Sequence, residues 1–110
     1  MKRLDDRVTY FIAVRRGRSK RIHAVKIGLT SRAQVKRRLA NLQTGSPDRL
    51  EVLAVVSGNV EKKFKRQWKG YHLRGEFFKP APELMKMIDA YRQMAELVER
   101  LEAQQIEKAA

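Results

Sequence analysis

Ala24-Val25-Lys26-Ile27-Gly28-Leu29-Thr30 is a short apolar run that ends in Gly and hands over at Ser31 to a segment rich in arginine. Its β-branched residues and its length give a strand, the return arm of a hairpin extending from Ile22 to Leu29. The outward arm is Val8-Thr9-Tyr10-Phe11-Ile12-Ala13-Val14, also β-branched and aromatic. Between the arms lies Arg15-Arg16-Gly17-Arg18-Ser19-Lys20-Arg21, five positive charges in seven residues around a Gly. Such a tip is either a solvated turn or a loop that grips a phosphate backbone. Gly28 is expected to let the chain turn closely into the following helix.

That helix opens with Ser31-Arg32-Ala33-Gln34, which has the form of a capping box. Val35, Leu39 and Leu42 then recur at i, i+4 and i+7 and define a narrow apolar stripe. Lys36 and Arg37 point away from the stripe. Arg38 lies at its border, where a side chain can follow a core and still reach a cleft. Gly45-Ser46-Pro47 stops the helix.

Leu50 to Val56 is almost continuously apolar and reads as a central, well-buried strand. Asn59 is a candidate cap for a helix of about eleven residues whose Val60, Phe64, Trp68 and Tyr71 share a face. Glu61 falls in its first turn, where the helix dipole favours a carboxylate. Arg74-Gly75-Glu76-Phe77-Phe78 is a short extended piece, and Pro80-Ala81-Pro82 breaks the chain. From Glu83 onward a long helix repeats Leu84, Tyr91, Val98 and Met87, Met94, Leu101 every seven residues. That repeat suits packing along the domain or pairing with a second copy, and the mixed charges at the very end suggest fraying.

The order is hairpin, helix, strand, helix, short strand, helix. It predicts an α/β (α+β) sandwich: a small, mainly antiparallel three-stranded sheet flanked by helices, with a long C-terminal helix. Residues 1–82 would form the domain, and residues 83–110 a helix packed on it or dimerising.

Charge points to the partner. The 110 residues carry 25 Lys and Arg against 12 Asp and Glu, a net +13. Residues 83–110 hold six acids and four bases, a net −2, which leaves +15 on residues 1–82. A compact basic surface attracts phosphate backbones and releases their counterions on binding. There are no cysteines, hence no disulfide, thiolate metal site or Cys nucleophile. Met1-Lys2-Arg3-Leu4-Asp5-Asp6 lacks the apolar core of a signal peptide, and no apolar run has transmembrane length. The expectation is a soluble, cytoplasmic protein without a membrane partner.

The two histidines, His23 and His72, show no metal-ligand spacing, and no Ser-His-Asp set or P-loop is present. A Tyr, a Lys, an Arg and a Glu remain beside predicted core elements. Such a set can cleave phosphodiesters, with Arg and a carboxylate-held metal offsetting charge while a phenol or Lys assists deprotonation of water. Each residue taken singly also has an ordinary structural use.

Five blocks in order add a resemblance. Val8-Thr9-Tyr10 and, after the loop, Lys26-Ile27-Gly28 resemble the paired signature of the GIY-YIG endonuclease superfamily, in the compact branch whose second motif reads KIG. Arg38-Leu39-Ala40-Asn41-Leu42-Gln43-Thr44-Gly45-Ser46-Pro47 is similar to that branch's next block, and Leu50-Glu51-Val52-Leu53-Ala54 to its following strand. Glu61 with Phe64 and Trp68 resembles its helix, and Gly75-Glu76-Phe77-Phe78 its closing motif, so the likeness spans about residues 8–88.

The resemblance implies a metal-dependent endonuclease cutting DNA with little sequence specificity of its own, of a phage or bacterial type. Tyr10 matches the general base or water-orienting residue, Lys26 the residue that assists it, and Arg38 the group that stabilises the pentavalent phosphate. Glu61 matches the ligand of one Mg²⁺ or Mn²⁺; Glu76 competes for that role, with a structural salt bridge as its other use. Arg15, Arg16, Arg18, Lys20, Arg21, Lys36, Arg37 and Lys65 would hold the flanking backbone. The chain departs from the pattern at four places. Val8 replaces a Gly, Lys26 replaces a Tyr, and Leu42 and Lys65 stand where many relatives carry His. The alternative, resting on those departures, is a non-catalytic nucleic-acid-binding module on the same fold.

Overall fold

In a computed structural model, residues 6–109 are described; the amino-terminal reading above falls on residues 1–5 and lies outside them. Strand β1 (Arg7–Arg15) is followed by β2 (Ala24–Ser31), a 3-10 turn (Arg32–Gln34), helix α1 (Val35–Thr44) and β3 (Arg49–Ser57). Helix α2 (Glu61–Gln67) and a second 3-10 turn (Lys69–Tyr71) lead to β4 (His72–Arg74), β5 (Phe77–Phe78) and the long helix α3 (Pro82–Ala109).

The sheet has five strands in the order β3-β1-β2-β5-β4, and every pairing is antiparallel. The expected three-stranded sheet is therefore corrected, although the α/β class stands. The extra strands come from the segment read only as a short extended piece. Gly75 (φ +54°) and Glu76 close a two-residue turn between β4 and β5, and β5 then pairs with β2 through Val25–Phe78 and Lys26–Phe77. Strands of two and three residues are too short to show a periodicity; tertiary pairing with β2 defines them.

Position in the sheet is the second correction. β1 is an interior strand, buried from Val8 to Val14, whereas β3 is an edge strand in which only Ala54 is fully buried. The apolar run of β3 has another cause: α1 and α3 both pack against it, so both of its faces are partly covered. A continuous apolar pattern reports coverage of two faces, not centrality.

The two faces of β1 serve different helices. Phe11, Val25, Ile27, Ala54 and Phe78 meet Phe64 of α2 and Leu84 and Ile88 of α3 in the main core. Aromatic contacts link its layers, with ring centroids 5.4 Å apart for Phe11–Phe64 and 5.9 Å for Phe64–Tyr91. Burying each such side chain contributes about 1.5–3 kcal/mol. On the opposite face lie Val8, Tyr10, Ile12 and Val14, all nearly inaccessible. The expected α1 stripe of Val35, Leu39 and Leu42 is half-buried.

Two caps differ from expectation. Ser31 makes no side-chain cap; the chain enters α1 through the 3-10 turn, and Arg32 N–H bonds Asp6 O at 2.9 Å. Asn59 does not cap α2. Thr9, buried in β1, does so instead: its hydroxyl accepts from Val60 N–H at 3.1 Å and donates to Gly58 O at 3.0 Å. Helix α2 is also shorter than expected, seven residues before the chain tightens to 3-10. Helix α3 continues to Ala109, where fraying was expected. Its first turns bury Leu84 and Ile88, while Met94, Leu97, Val98, Leu101 and Ile106 are exposed. Among the described residues no helix is long and apolar enough to cross a membrane.

Candidate active site

The site is built on the face of the hairpin opposite the main core. The register sets Tyr10 across from Gly28 and Ile12 across from Lys26, so Tyr10 and Lys26 project from the same face as diagonal neighbours. Ile27, one residue on, points into the core. Gly28 is not a turn residue. It lies inside β2, buried, and a Cβ added there would stand 2.3 Å from Tyr10 Cζ and Oη. The glycine is required because the phenol ring lies over its backbone.

Helix α1 brings Arg38 to the same place. Its guanidinium stands beside Tyr10, whose hydroxyl, first by hydrogen bonding and then by charge, holds the Arg38 pKa above the usual Arg value against a small opposing effect of burial. Glu76 adds a further favourable charge. The loop after α1 is clamped by Gln43, whose amide donates to Asp48 O at 2.7 Å and accepts from Leu50 N–H at 2.8 Å. This bond pair ties the end of α1 to the start of β3.

The carboxylates complete the cluster. Lys26 Nζ donates to Glu76 Oε2 at 2.5 Å and lies 5.2 Å from the centroid of Phe77. Lys65, one turn beyond Glu61 on α2, donates to the Glu61 carboxylate and stands 3.6 Å from Glu76 Oε1. Burial pushes the Glu76 carboxyl up, but the hydrogen bond and charge of Lys26, then those of Lys65, outweigh it and hold its pKa below the usual Glu value. Burial likewise depresses Lys65, and Glu61 and Glu76 together raise it above the usual Lys value.

The four predicted residues fall into two groups on this side of the sheet. Arg38 stands with Tyr10, while Lys26 pairs with Glu76 and Lys65 links Glu76 to Glu61. Glu76 takes the salt-bridge use the sequence offered for it, bridging Lys26 and Lys65, and Lys65 belongs to this cluster rather than to a flanking surface. No periodicity could reveal this, because β2, α1, α2 and the β4–β5 turn each supply one part.

The basic loop lies beyond the end of β1. Arg15 is half-buried and committed to the Lys20 carbonyl (3.1 Å) and to Glu51 (3.4 Å), whereas Arg16, Arg18, Lys20 and Arg21 are exposed. A groove lined by Val14, Ala24 and Phe77, and flanked by Arg16, His23 and Arg74, connects the Lys26 end of the site to that loop. Arg74 was not foreseen. Arg37 is exposed on α1. Lys36 is not brought to the site; it lines a separate groove beside β3 with Arg32, Arg92, Glu96 and Glu99.

A family profile, the T5orf172 domain, matches residues 7–102, which includes every residue of this cluster. The chain belongs to the T5orf172 domain family. T5orf172 domains are phage-associated, nuclease-like domains with a GIY-YIG-like fold. The match runs through the hairpin, α1, β3, α2 and most of α3, so the long helix is included in the family's extent. No curated protein and no solved structure gives a significant match.

As a possible metal ligand, Glu61 of this T5orf172 domain offers hard carboxylate oxygen in a half-buried position already holding a cation, the Lys65 ammonium. Among the described residues no group of three or more His, Cys, Asp or Glu could enclose an ion. That donor set fits Mg²⁺, which keeps several waters and takes one or two carboxylates plus substrate phosphate, and not a metal needing a closed protein cage.

Proposed function

We propose that this T5orf172 domain is a GIY-YIG-type endonuclease that hydrolyses phosphodiester bonds of DNA with Mg²⁺ or Mn²⁺. The supporting observation is the Arg38 guanidinium set against the Tyr10 hydroxyl above Gly28, with Lys26 on the same face. A phosphate between these groups would have one cation from α1 and one from β2. Arg38 offsets the charge that builds on the non-bridging oxygens as water adds to phosphorus. Tyr10, entering the step as the phenolate, holds the attacking water and takes its proton, leaving the neutral phenol, while Lys26 assists from the same face. One P–O ester bond breaks, leaving a phosphate monoester and an alcohol. A divalent ion held by Glu61 supplies further positive charge at the phosphate when bound.

Exposed Arg16, Arg18, Lys20, Arg21 and Arg37 would hold the backbone on either side without reading bases, so little sequence specificity is expected. The exposed stripe of α3 fits a second copy of the chain, which would bring two sites to one duplex.

The test is nicking of supercoiled plasmid with Mg²⁺ or Mn²⁺. Wild type converts it to open circle, and Arg38→Ala loses about 10²–10³ in rate with its circular dichroism unchanged. Equal rates for the two proteins would refute the assignment. One observation favours a second reading, a binding module without catalysis: Lys65 already occupies the Glu61 carboxylate. Steeply salt-dependent DNA binding with no metal-stimulated nicking would establish that reading instead.

A further inference from the structure

Glu76 has no part in the chemistry above, yet it is the anion on which the site's cations converge. Lys26 of β2 contacts one carboxylate oxygen at 2.5 Å, and Lys65 of α2 stands 3.6 Å from the other. Lys26 and Arg38 are the cations that a substrate phosphate needs in the proposed reaction. A carboxylate and a phosphodiester present the same thing to an ammonium group: one negative charge shared over two terminal oxygens.

We infer that Glu76 is an internal occupant of the phosphate position, and that DNA binds by exchanging its backbone phosphate for this carboxylate. The inference rests on the reading that the site takes a nucleic-acid phosphodiester. Lys26 and Lys65 are held in place by Glu76 in the free protein and pass to the phosphate on binding. The turn permits the exchange. Glu76 is anchored through its backbone carbonyl, which accepts from Ile27 N–H at 3.0 Å, while its side chain is 38% exposed. The carboxylate can swing out without displacing the β4–β5 turn.

A purely structural salt bridge predicts the opposite sign. Removing Glu76 would then leave the half-buried Lys26 ammonium without its anion, with Lys65 still paired to Glu61, and bring no gain in DNA affinity. For an internal occupant, removal frees the site. If the carboxylate holds the position about nine-tenths of the time, apparent affinity rises about tenfold when it is removed.

The experiment is fluorescence anisotropy with a labelled DNA duplex in EDTA over a series of salt concentrations. Glu76→Gln should bind about tenfold tighter than wild type, with a salt slope steeper by about one ion. Glu107→Gln, an exposed change of equal formal charge on α3, should bind within about twofold of wild type. In a Lys26→Met background the gain from Glu76→Gln should vanish. Glu76→Asp, which keeps the charge but withdraws it by one methylene, gives the same reading with a smaller gain and serves if Glu76→Gln does not fold. Binding by Glu76→Gln that is weaker than wild type, or no tighter than Glu107→Gln, overturns the inference. EDTA suppresses cutting, so absence of nicking refutes the catalytic reading alone. Absence of DNA binding by wild type refutes the phosphodiester reading and this inference together.

Discussion

Tyr10 and Gly28 face each other across the central pair of strands, and the phenol ring fills the space that any side chain at position 28 would need. The ring is 2% exposed, so it has little room to retreat. Gly28→Ala should therefore displace Tyr10 from Arg38. The expected cost in stability is about 1–3 kcal/mol by urea unfolding. Plasmid nicking should fall at least about tenfold, in line with the sensitivity of catalytic geometry to small displacements. DNA affinity, set by the exposed arginines, should stay within about threefold. A variant that nicks at the wild-type rate would show that the ring position is unimportant.

Thr9 is the buried polar residue of β1, and its hydroxyl serves both Gly58 O and Val60 N–H. Thr9→Val keeps the shape and removes both bonds, leaving the entry to α2 uncapped. A loss of about 1–2 kcal/mol is expected in urea unfolding. Thr9→Ser should recover most of it. Equal stability for Val and Thr would mean that the hydroxyl does not hold the start of α2.

Glu76 predicts an acid dependence of stability. Its carboxyl titrates below the usual Glu value in the folded chain, through Lys26 and Lys65 against the effect of burial. The stabilisation is therefore present above the unfolded value, about 4.3, and is lost as pH falls through the lower folded value. Wild type should lose urea resistance more steeply than Glu76→Gln as pH is lowered from about 5 to 3. Parallel pH profiles for the two proteins would contradict the ion pairs.

The distal half of α3 predicts self-association. Met94, Leu97, Val98 and Leu101 are 44–60% exposed and continue the heptad pattern of the helix that begins in the core. Arg92 and Arg100 alternate with Glu96, Glu99 and Glu102 beside them, so an antiparallel second copy meets opposite charges. Sedimentation equilibrium should show a dimer for wild type at tens of micromolar and a monomer for Val98→Glu/Leu101→Glu. A monomeric wild type would remove the dimer from the account.

Much of the fold was legible because burial leaves a periodic trace. The arms of the hairpin, the stripe Val35-Leu39-Leu42 and the face Val60-Phe64 all sit where their spacing put them. Tyr10, Lys26, Arg38 and Glu61 stand out in the sequence through the motifs that resemble GIY-YIG endonucleases, not through spacing. Three features left no such trace. Strand β5 has two residues, β3 is apolar for a reason other than centrality, and the cap of α2 comes from a residue about fifty positions earlier.

By itself the sequence determined the large positive charge, the hairpin with its basic tip and the helical faces, since these depend on composition and local spacing. Only the tertiary structure decided that β3 lies at the edge of the sheet, why position 28 must be Gly, and that Glu76 bridges Lys26 and Lys65. The physical reason is the same in each case. Sheet order, ring-to-backbone contact and charge pairing are set by segments far apart in the chain, and no local pattern of side chains encodes a distance between them.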